Sequence, residues 1–202
     1  MAKKLPKIIS KEKVLSLLKG INRKCPTGCR NYAILIVLYR AGLRISEACN
    51  LTIPDMDFKT AQIYVQEGKG GKDRYVPMDA DIIQACKAWG EMKELGGIKS
   101  EFFFCTLDGG RVDPRYVREV CRRLSEKAGV YIQDGRKKKP VHPHAFRHSC
   151  FTEMLREGEL NIREIQQLAG HSDVSTTMVY THVIQDELAG KIKSRAPMVP
   201  VQ

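Results

Sequence analysis

The sequence has no apolar segment long enough to cross a bilayer. Its longest uninterrupted apolar run, residues 33–39, has the length of a core helix segment, whereas a membrane-spanning helix needs about 20 apolar residues. The chain begins Met-Ala-Lys-Lys, and the apolar segment of a secretory signal does not follow. These absences predict a cytoplasmic protein without a membrane partner.

Paired cysteines are also missing. The seven cysteines are scattered, with no CxxC pair, and no second pair follows Cys25 and Cys29 that could complete a zinc site. The sequence contains no Walker-type glycine loop for a nucleotide and no acidic cluster for a catalytic magnesium ion. We therefore expect reduced thiols, no metal site and no cofactor.

Acidic residues are scarce relative to basic ones. The 202 residues include 34 Lys and Arg against 23 Asp and Glu, which gives a formal net charge of +11. A chain this basic favours a polyanionic partner, with nucleic acid first and an anionic membrane second. A well-solvated basic surface without any such partner is not excluded by charge alone.

The hydrophobic pattern predicts a mainly helical chain with one small sheet. Residues 31–41 are apolar almost all round, which predicts a buried helix that stops at Gly42. Alternating residues predict strands at 63–65 and 75–78, joined by a glycine-rich turn at 68–72. Internal repeats and low-complexity segments are absent, and no convincing domain boundary is visible.

A later helix is predicted to be packed on one face and arginine-rich on the other. It begins at Asp113 and Pro114 and stops at Gly129. An amphipathic helix with such a face can enter the major groove of DNA. The candidate DNA contacts on it are Arg115, Arg118, Arg122 and Arg123.

Two segments near the C-terminus carry further candidates. Residues 136–139 are a basic run that we predict to lie in a loop, where phosphate contact and a disordered tether are equally open. Pro143 begins a helix that carries His144 and Arg147 one turn apart. Asn161 can cap a short helix that ends at Gly170, so that a further histidine, His171, follows a helix end.

These residues suit phosphodiester cleavage without a metal. The transition state places extra negative charge on the phosphate oxygens, which arginines bind with two donors each. Histidines can donate or move protons, and a phenol surrounded by cations can become the nucleophile. In chain order, the candidate set is Arg44, Lys69, His144, Arg147, His171 and Tyr180.

Each member of this set has an ordinary structural explanation when taken alone. An ion pair is the favoured interpretation of Arg44 with Glu47, and Lys69 could be a lysine at a mobile hairpin tip. Tyr180 could simply pack against the core. The joint pattern is far more specific than any single member.

Four motifs resemble the tyrosine recombinase (phage integrase) family. They are GLRISE at 42–47, GKGGKDRYVPM at 68–78, HPHAFRHS at 142–149 and GHSDVSTTMVYTH at 170–182. The resemblance covers roughly residues 5–190, and the last two motifs are closest to Xer-type and integrase catalytic domains. It implies an α+β, mainly helical catalytic-domain fold with a small antiparallel sheet.

The resemblance also implies a role for each candidate. Tyr180 would attack the scissile phosphate to form a 3′-phosphotyrosyl link. Arg44, oriented by Glu47, and Arg147 would clamp the phosphate oxygens. Lys69 would be the general acid, carried by the hairpin, and Lys72 would add a DNA contact from the same hairpin. His144 would help to take the tyrosine proton, and His171 would donate a hydrogen bond to the phosphate.

The implied organisation is a single catalytic domain over residues 1–202. We expect a basic N-terminal segment at 1–10, an oligomerisation tail at about 184–202 and no N-terminal core-binding domain; a minimal enzyme and a piece of a longer protein both remain open. The implied partners are double-stranded DNA with inverted-repeat core sites and further copies of the chain, as dimers or tetramers. The implied function is that of a site-specific DNA recombinase. The alternatives are a catalytically retired DNA-binding regulator, which has lost enzyme activity, and a type IB topoisomerase-like enzyme.

Overall fold

The computed structural model describes residues 8–66 and 73–170, and these residues form helices around two small sheets. The helices are α1 Lys11–Lys19, α2 Pro26–Ile36, a π-helical segment Val37–Ala41, α3 Ile45–Asn50, α4 Ala80–Leu95, α5 Pro114–Ala128, α6 Pro143–Arg156 and α7 Ile162–Ala169. The strands are β1 Met56–Asp57, β2 Gln62–Val65, β3 Arg74–Pro77, β4 Tyr131–Asp134 and β5 Lys137–Pro140. The predicted mainly helical α+β fold is confirmed.

The first sheet is antiparallel and has the order β1-β2-β3. Strand β2 pairs with β3 in the register Val65↔Arg74 and Ile63↔Val76, so the predicted hairpin is confirmed. Ile63, Val65 and Val76 are almost completely buried. Because side chains alternate between the faces of a strand, one face of this sheet is fixed against the core.

The basic run at 136–139 does not form the predicted loop. Lys137–Pro140 is strand β5, which pairs antiparallel with β4 across a turn at Gly135. The buried side chain of Ile132 anchors β4, and Lys139 forms an ion pair with Asp134 at 2.5 Å. The loop prediction was wrong because Lys137, Lys138 and Lys139 are all exposed, so β5 lacks the alternation of apolar and polar residues that indicates a strand. Its partner β4 has one buried apolar residue, Ile132.

The centre of the fold is the continuous helical segment made by α2 and the π-helical turns. Ala33, Leu35 and Val37 have no measurable exposure, which agrees with the predicted all-round apolar helix. Helix α4 packs beside it with a buried Trp89, whose indole N–H donates to the carbonyl of Phe103 at 2.8 Å. Helix α6 covers another side of the π-helical segment.

The predicted stop at Gly42 is confirmed, and its surroundings explain why glycine is required there. Gly42 has φ +64°, a left-handed conformation that disfavours a side chain. A Cβ at this position would lie 2.5 Å from Cζ of Phe151 on α6. The π-helical geometry before it was not predicted; a π-bulge of this kind is common at functional sites.

The boundaries of α5 and α7 follow the predicted capping residues. The side chain of Asp113 accepts from the backbone N–H of Arg115, and Asn161 caps α7 in the same way. Gly129 and Gly170 end the two helices in the left-handed conformation. Among residues 8–66 and 73–170, no helix combines the length and apolar character that a membrane crossing requires.

Candidate active site

The carboxylate of Glu47 is the centre of the candidate site. It lies in the first turn of α3, and its side chain is only 7% exposed. The backbone N–H of Arg44 donates to Glu47 Oε2 at 2.7 Å, and Arg44 Nη1 donates to Oε1 at 2.7 Å. The expected ion pair is therefore present, and the same contact orients Arg44.

Arg44 also contacts the C-terminal end of α7. Its Nη2 donates to the carbonyl of Gly170 at 3.1 Å. Its side chain is 34% exposed, so the guanidinium lies at the surface of the cluster while its partner is buried. This position lets one arginine connect the protein interior with an anion outside it.

Arg147 reaches the same cluster from α6 and is buried. It donates to the carbonyl of Gly42 and, through Nη2, to the carbonyl of Ala169 at 2.7 Å. Its Nη1 lies 4.0 Å from Glu47 Oε2. The structure thus brings together Arg44, Glu47 and Arg147, although Arg147 lies 103 and 100 positions after the other two in the chain.

Arg74 is a member of the cluster that sequence reasoning missed. It begins β3, its side chain is 8% exposed, and its Nη1 and Nη2 donate to the two oxygens of Glu47 at 3.2 and 2.9 Å. A signal for it existed in the alternation of β3, because Arg74 shares a strand face with the buried Val76. An arginine on the buried face of a strand predicts a partner that compensates its charge or accepts its hydrogen bonds.

The arginines of the cluster keep Glu47 ionised. Burial acts to raise the pKa of Glu47, but hydrogen bonds from Arg74 and from the Arg44 backbone, with the charges of Arg74 and Arg147, outweigh it and lower the pKa. The carboxylate is therefore ionised at neutral pH. Among residues 8–66 and 73–170, three guanidinium groups thus meet at this one carboxylate, and paired donors of this kind suit a phosphate.

His144 lies at the exposed start of α6, beside this cluster. Partial burial, followed by the charges of Arg147, Arg118 and Arg44, lowers its pKa. The imidazole is consequently neutral at pH 7 and can accept a proton. Arg118 is on α5, a helix that contacts α6.

His148 is a second histidine that sequence reasoning did not single out. Burial, with the nearby His144, Arg147 and His142, lowers its pKa to about 4. Its ring centroid lies 6.5 Å from that of His144. The sequence HPHAFRHS gave a signal for it, because His144 and His148 are four positions apart on one helix.

The four arginines predicted to contact DNA are all exposed on α5, but they differ in their partners. Arg122 forms ion pairs at 2.6 Å with both Glu119 and Glu126, and Arg123 lies 3.7 Å from Glu119. The arginine-rich face therefore also carries glutamates, which pair with its C-terminal arginines. DNA contact by Arg115, Arg118, Arg122 and Arg123 stays a prediction.

Four predicted site residues lie outside the described residues. They are Lys69, Lys72, His171 and Tyr180. Their neighbours in the chain are described: Asp73 and Arg74 follow Lys72, and Gly170 precedes His171 directly. Arg74 belongs to the arginine cluster, and the carbonyl of Gly170 accepts from Arg44. The segments that carry Lys69 and His171 are therefore joined in the chain to residues at the cluster.

Comparison with known proteins agrees with this arrangement. A family model described as the phage integrase family matches residues 7–187. The tyrosine recombinase XerA of Thermococcus onnurineus (strain NA1) is 37% identical over 200 residues, which cover 98% of this chain and 65% of that protein. The chain spans less than two thirds of the length of this and other curated relatives.

Solved structures have the same fold. A crystal structure of XerA recombinase superposes with a TM-score of 0.77 at 32% identity, covering 96% of this chain and 68% of that one. The XerH site-specific recombinase bound to difH substrate, in a pre-cleavage complex, gives a TM-score of 0.73 at 25% identity, covering 92% and 53%. The expected catalytic-domain fold is confirmed by these likenesses.

Proposed function

Because the chain belongs to the phage integrase family, we propose that it is the catalytic domain of a site-specific DNA recombinase, which cuts and rejoins DNA through a 3′-phosphotyrosyl intermediate. The observation that carries this proposal is the meeting of Arg44, Arg74 and Arg147 around the single buried carboxylate of Glu47. Such a cluster is suited to one tetrahedral phosphate.

The arginine cluster would stabilise the transition state of phosphoryl transfer. Attack on phosphorus adds negative charge to the non-bridging oxygens. Arg44 and Arg147 would bind those oxygens, because guanidinium groups stay charged and offer paired donors. Their positions are fixed by Glu47 and by the carbonyls of Gly42 and Ala169 before any substrate arrives, which removes a reorganisation cost.

Proton transfer would be divided among the other candidates. Tyr180 would attack phosphorus, so the P–O bond to the 5′-oxygen breaks and a 5′-hydroxyl leaves. Lys69 would protonate that oxygen. His144, kept neutral by burial and its arginine neighbours, would help to take the tyrosine proton, and His171 would donate a hydrogen bond to the phosphate. The tyrosyl ester keeps the free energy of the broken bond for religation.

The partners would be double-stranded DNA with inverted-repeat core sites and other copies of the chain. Exposed arginines on α5 and the four basic residues of the β4–β5 hairpin, Arg136, Lys137, Lys138 and Lys139, provide cations for phosphate contacts. Residues 184–202 would dock on a neighbouring protomer. A contact of one tail with the next protomer is heterologous and can close a ring.

A half-site DNA substrate tests the proposal directly. Cleavage releases a short 5′-hydroxyl fragment by diffusion, so the phosphotyrosyl adduct is trapped. We expect a protein–DNA adduct that resists denaturation by detergent, is lost on protease treatment and is absent in Tyr180→Phe. DNA binding without an adduct in the parent protein would instead identify a DNA-binding regulator that has lost catalytic activity.

A second arm of the experiment separates a recombinase from a topoisomerase. Both form the adduct, but a recombinase exchanges strands between two copies of its own site. Once the native site has been recovered, recombinant products from paired sites are expected. Relaxation of supercoiled DNA without any such product would identify a type IB topoisomerase-like enzyme.

A further inference from the structure

Arg74 makes contacts with two separate parts of the candidate site at once. Its Nη1 and Nη2 donate to both oxygens of Glu47, and its Nε donates to the carbonyl of Leu168 at 2.8 Å. Glu47 lies on α3 and Leu168 near the C-terminal end of α7, while Arg74 itself begins β3. One guanidinium therefore joins three elements that are far apart in the chain.

We infer that Arg74 is a positioning residue for DNA cleavage, which holds Glu47, and through it Arg44, in the orientation that receives the phosphate. The inference rests on the proposed function. Arg74 does not bind the phosphate in this arrangement; it acts through the carboxylate that it shares with Arg44.

The exposure of the two arginines supports this division of roles. The side chain of Arg74 is 8% exposed, whereas that of Arg44 is 34% exposed. Both contact the same carboxylate, so Arg74 lies on its buried side and Arg44 on its open side. A buried carboxylate is stable only when its charge is compensated. Arg74 supplies that compensation from inside and leaves Arg44 able to face an external anion.

The geometry requires an arginine. The planar fork directs two nitrogens at the two carboxylate oxygens, while the third nitrogen points in a different direction to a carbonyl. A lysine has the same charge but a single nitrogen, which cannot hold three acceptors in this fixed geometry. An exchange of Arg74 for lysine therefore keeps the charge and removes the positioning.

Arg74 also fixes the points from which two predicted site segments leave the described structure. Its own backbone pairs with Val65, at the end of the β2–β3 ladder from which the chain continues towards Lys69 in the sequence. The carbonyl of Leu168 lies three residues before His171. A single contact set thus ties the base of the lysine hairpin to the helix end that precedes the histidine.

The test compares Arg74→Lys and Arg74→Gln with the parent chain and with a control, Arg30→Gln. Arg30 is also a buried arginine and donates to a backbone carbonyl, that of Cys105 at 2.8 Å, but it makes no contact with Glu47 among its described hydrogen bonds. Adduct formation on a half-site is followed at saturating DNA, DNA affinity is measured separately, and folding is checked by thermal unfolding.

We expect Arg74→Lys to bind DNA like the parent but to form the adduct about 10–100-fold more slowly, the size seen when the hydrogen-bonding partner that orients a metal ligand is removed. In Arg74→Gln, Glu47 loses two charged donors and its pKa rises. The acidic limb of the cleavage rate should therefore move to higher pH. Arg30→Gln should change the melting temperature without moving this limb.

The outcomes separate the inference from the proposed function. If the parent forms no adduct, the proposed function fails, and the inference falls with it. If the parent forms the adduct and folded Arg74→Lys cleaves at the parental rate, only the inference is overturned. A loss in Arg74→Lys that appears in DNA affinity alone also overturns it, because a positioning residue acts on the rate at saturation.

Discussion

At the scale of single residues, Gly42 and Phe151 show how tightly the site is built into the core. The carbonyl of Gly42 accepts a hydrogen bond from Arg147, and the ring of Phe151 lies against the same guanidinium, with its centroid 4.9 Å from Cζ. The Cα of Gly42 faces that ring without room for a methyl group. The contacts that pack Gly42 against α6 therefore also fix the position of Arg147.

Gly42→Ala should destabilise the fold more than an equivalent change elsewhere. The left-handed conformation costs an alanine about 1–2 kcal/mol, and overpacking against Phe151 adds about 1–3 kcal/mol. Gly129→Ala is the matched control, because Gly129 has the same φ of +64° and no heavy atom within 4 Å of an added Cβ. Urea unfolding measures both variants; equal losses would contradict the packing argument.

At the scale of elements, α5 presents two kinds of arginine to the solvent. Arg118 lies close enough to His144 to lower its pKa. Arg122, one turn further along, is held between Glu119 and Glu126, and these two ion pairs raise its pKa. A phosphate that contacts Arg122 must compete with two carboxylates, so the N-terminal half of the helix is the stronger candidate for DNA contact.

Arg118→Ala should reduce the slope of log K against log salt for DNA binding by about one, the value for one lost phosphate contact. Arg122→Ala should reduce it by less, because part of its charge is already compensated. Titrations at several salt concentrations provide the slopes, with the exposed Lys87 of α4 changed to alanine as the control. An unchanged slope in Arg118→Ala would place α5 away from DNA.

At the scale of the whole molecule, the core and the site share the same elements. The helical segment α2 with its π-helical end fills the centre, and the chain leaves it at Gly42 to reach Arg44 two residues later. Helix α6 packs on this segment and contributes Arg147 from the packed side. The arginine cluster is therefore preorganised by the same contacts that stabilise the fold.

Removal of residues 184–202 should separate cleavage from assembly. If this tail docks on a neighbouring protomer, the truncated chain should still form the adduct on a half-site and should fail to assemble dimers or tetramers on paired sites. Light scattering of the protein–DNA complexes measures the assembly state. Unaltered assembly after truncation would move the protomer contact to another surface.

The sequence by itself determined the elements whose evidence is local. Gly42, Gly129 and Gly170 ended helices as predicted, and Asp113 and Asn161 capped them, because such backbone preferences depend on a few neighbouring residues. The alternation of β2 and β3 gave the hairpin. Four motifs also carried the family resemblance, which the family match over residues 7–187 confirmed.

Only the tertiary structure decided which side chains share the carboxylate of Glu47. Arg74 was missed and the 136–139 run was placed in a loop, because in both cases the deciding partner is another element rather than a neighbour in sequence. Arg122 is different, because Glu119 and Glu126 lie three and four positions away on the same helix, a spacing that the sequence already contains. Local propensity acts over one turn of chain, whereas charge compensation acts over a few ångströms of space, and only folding converts one into the other.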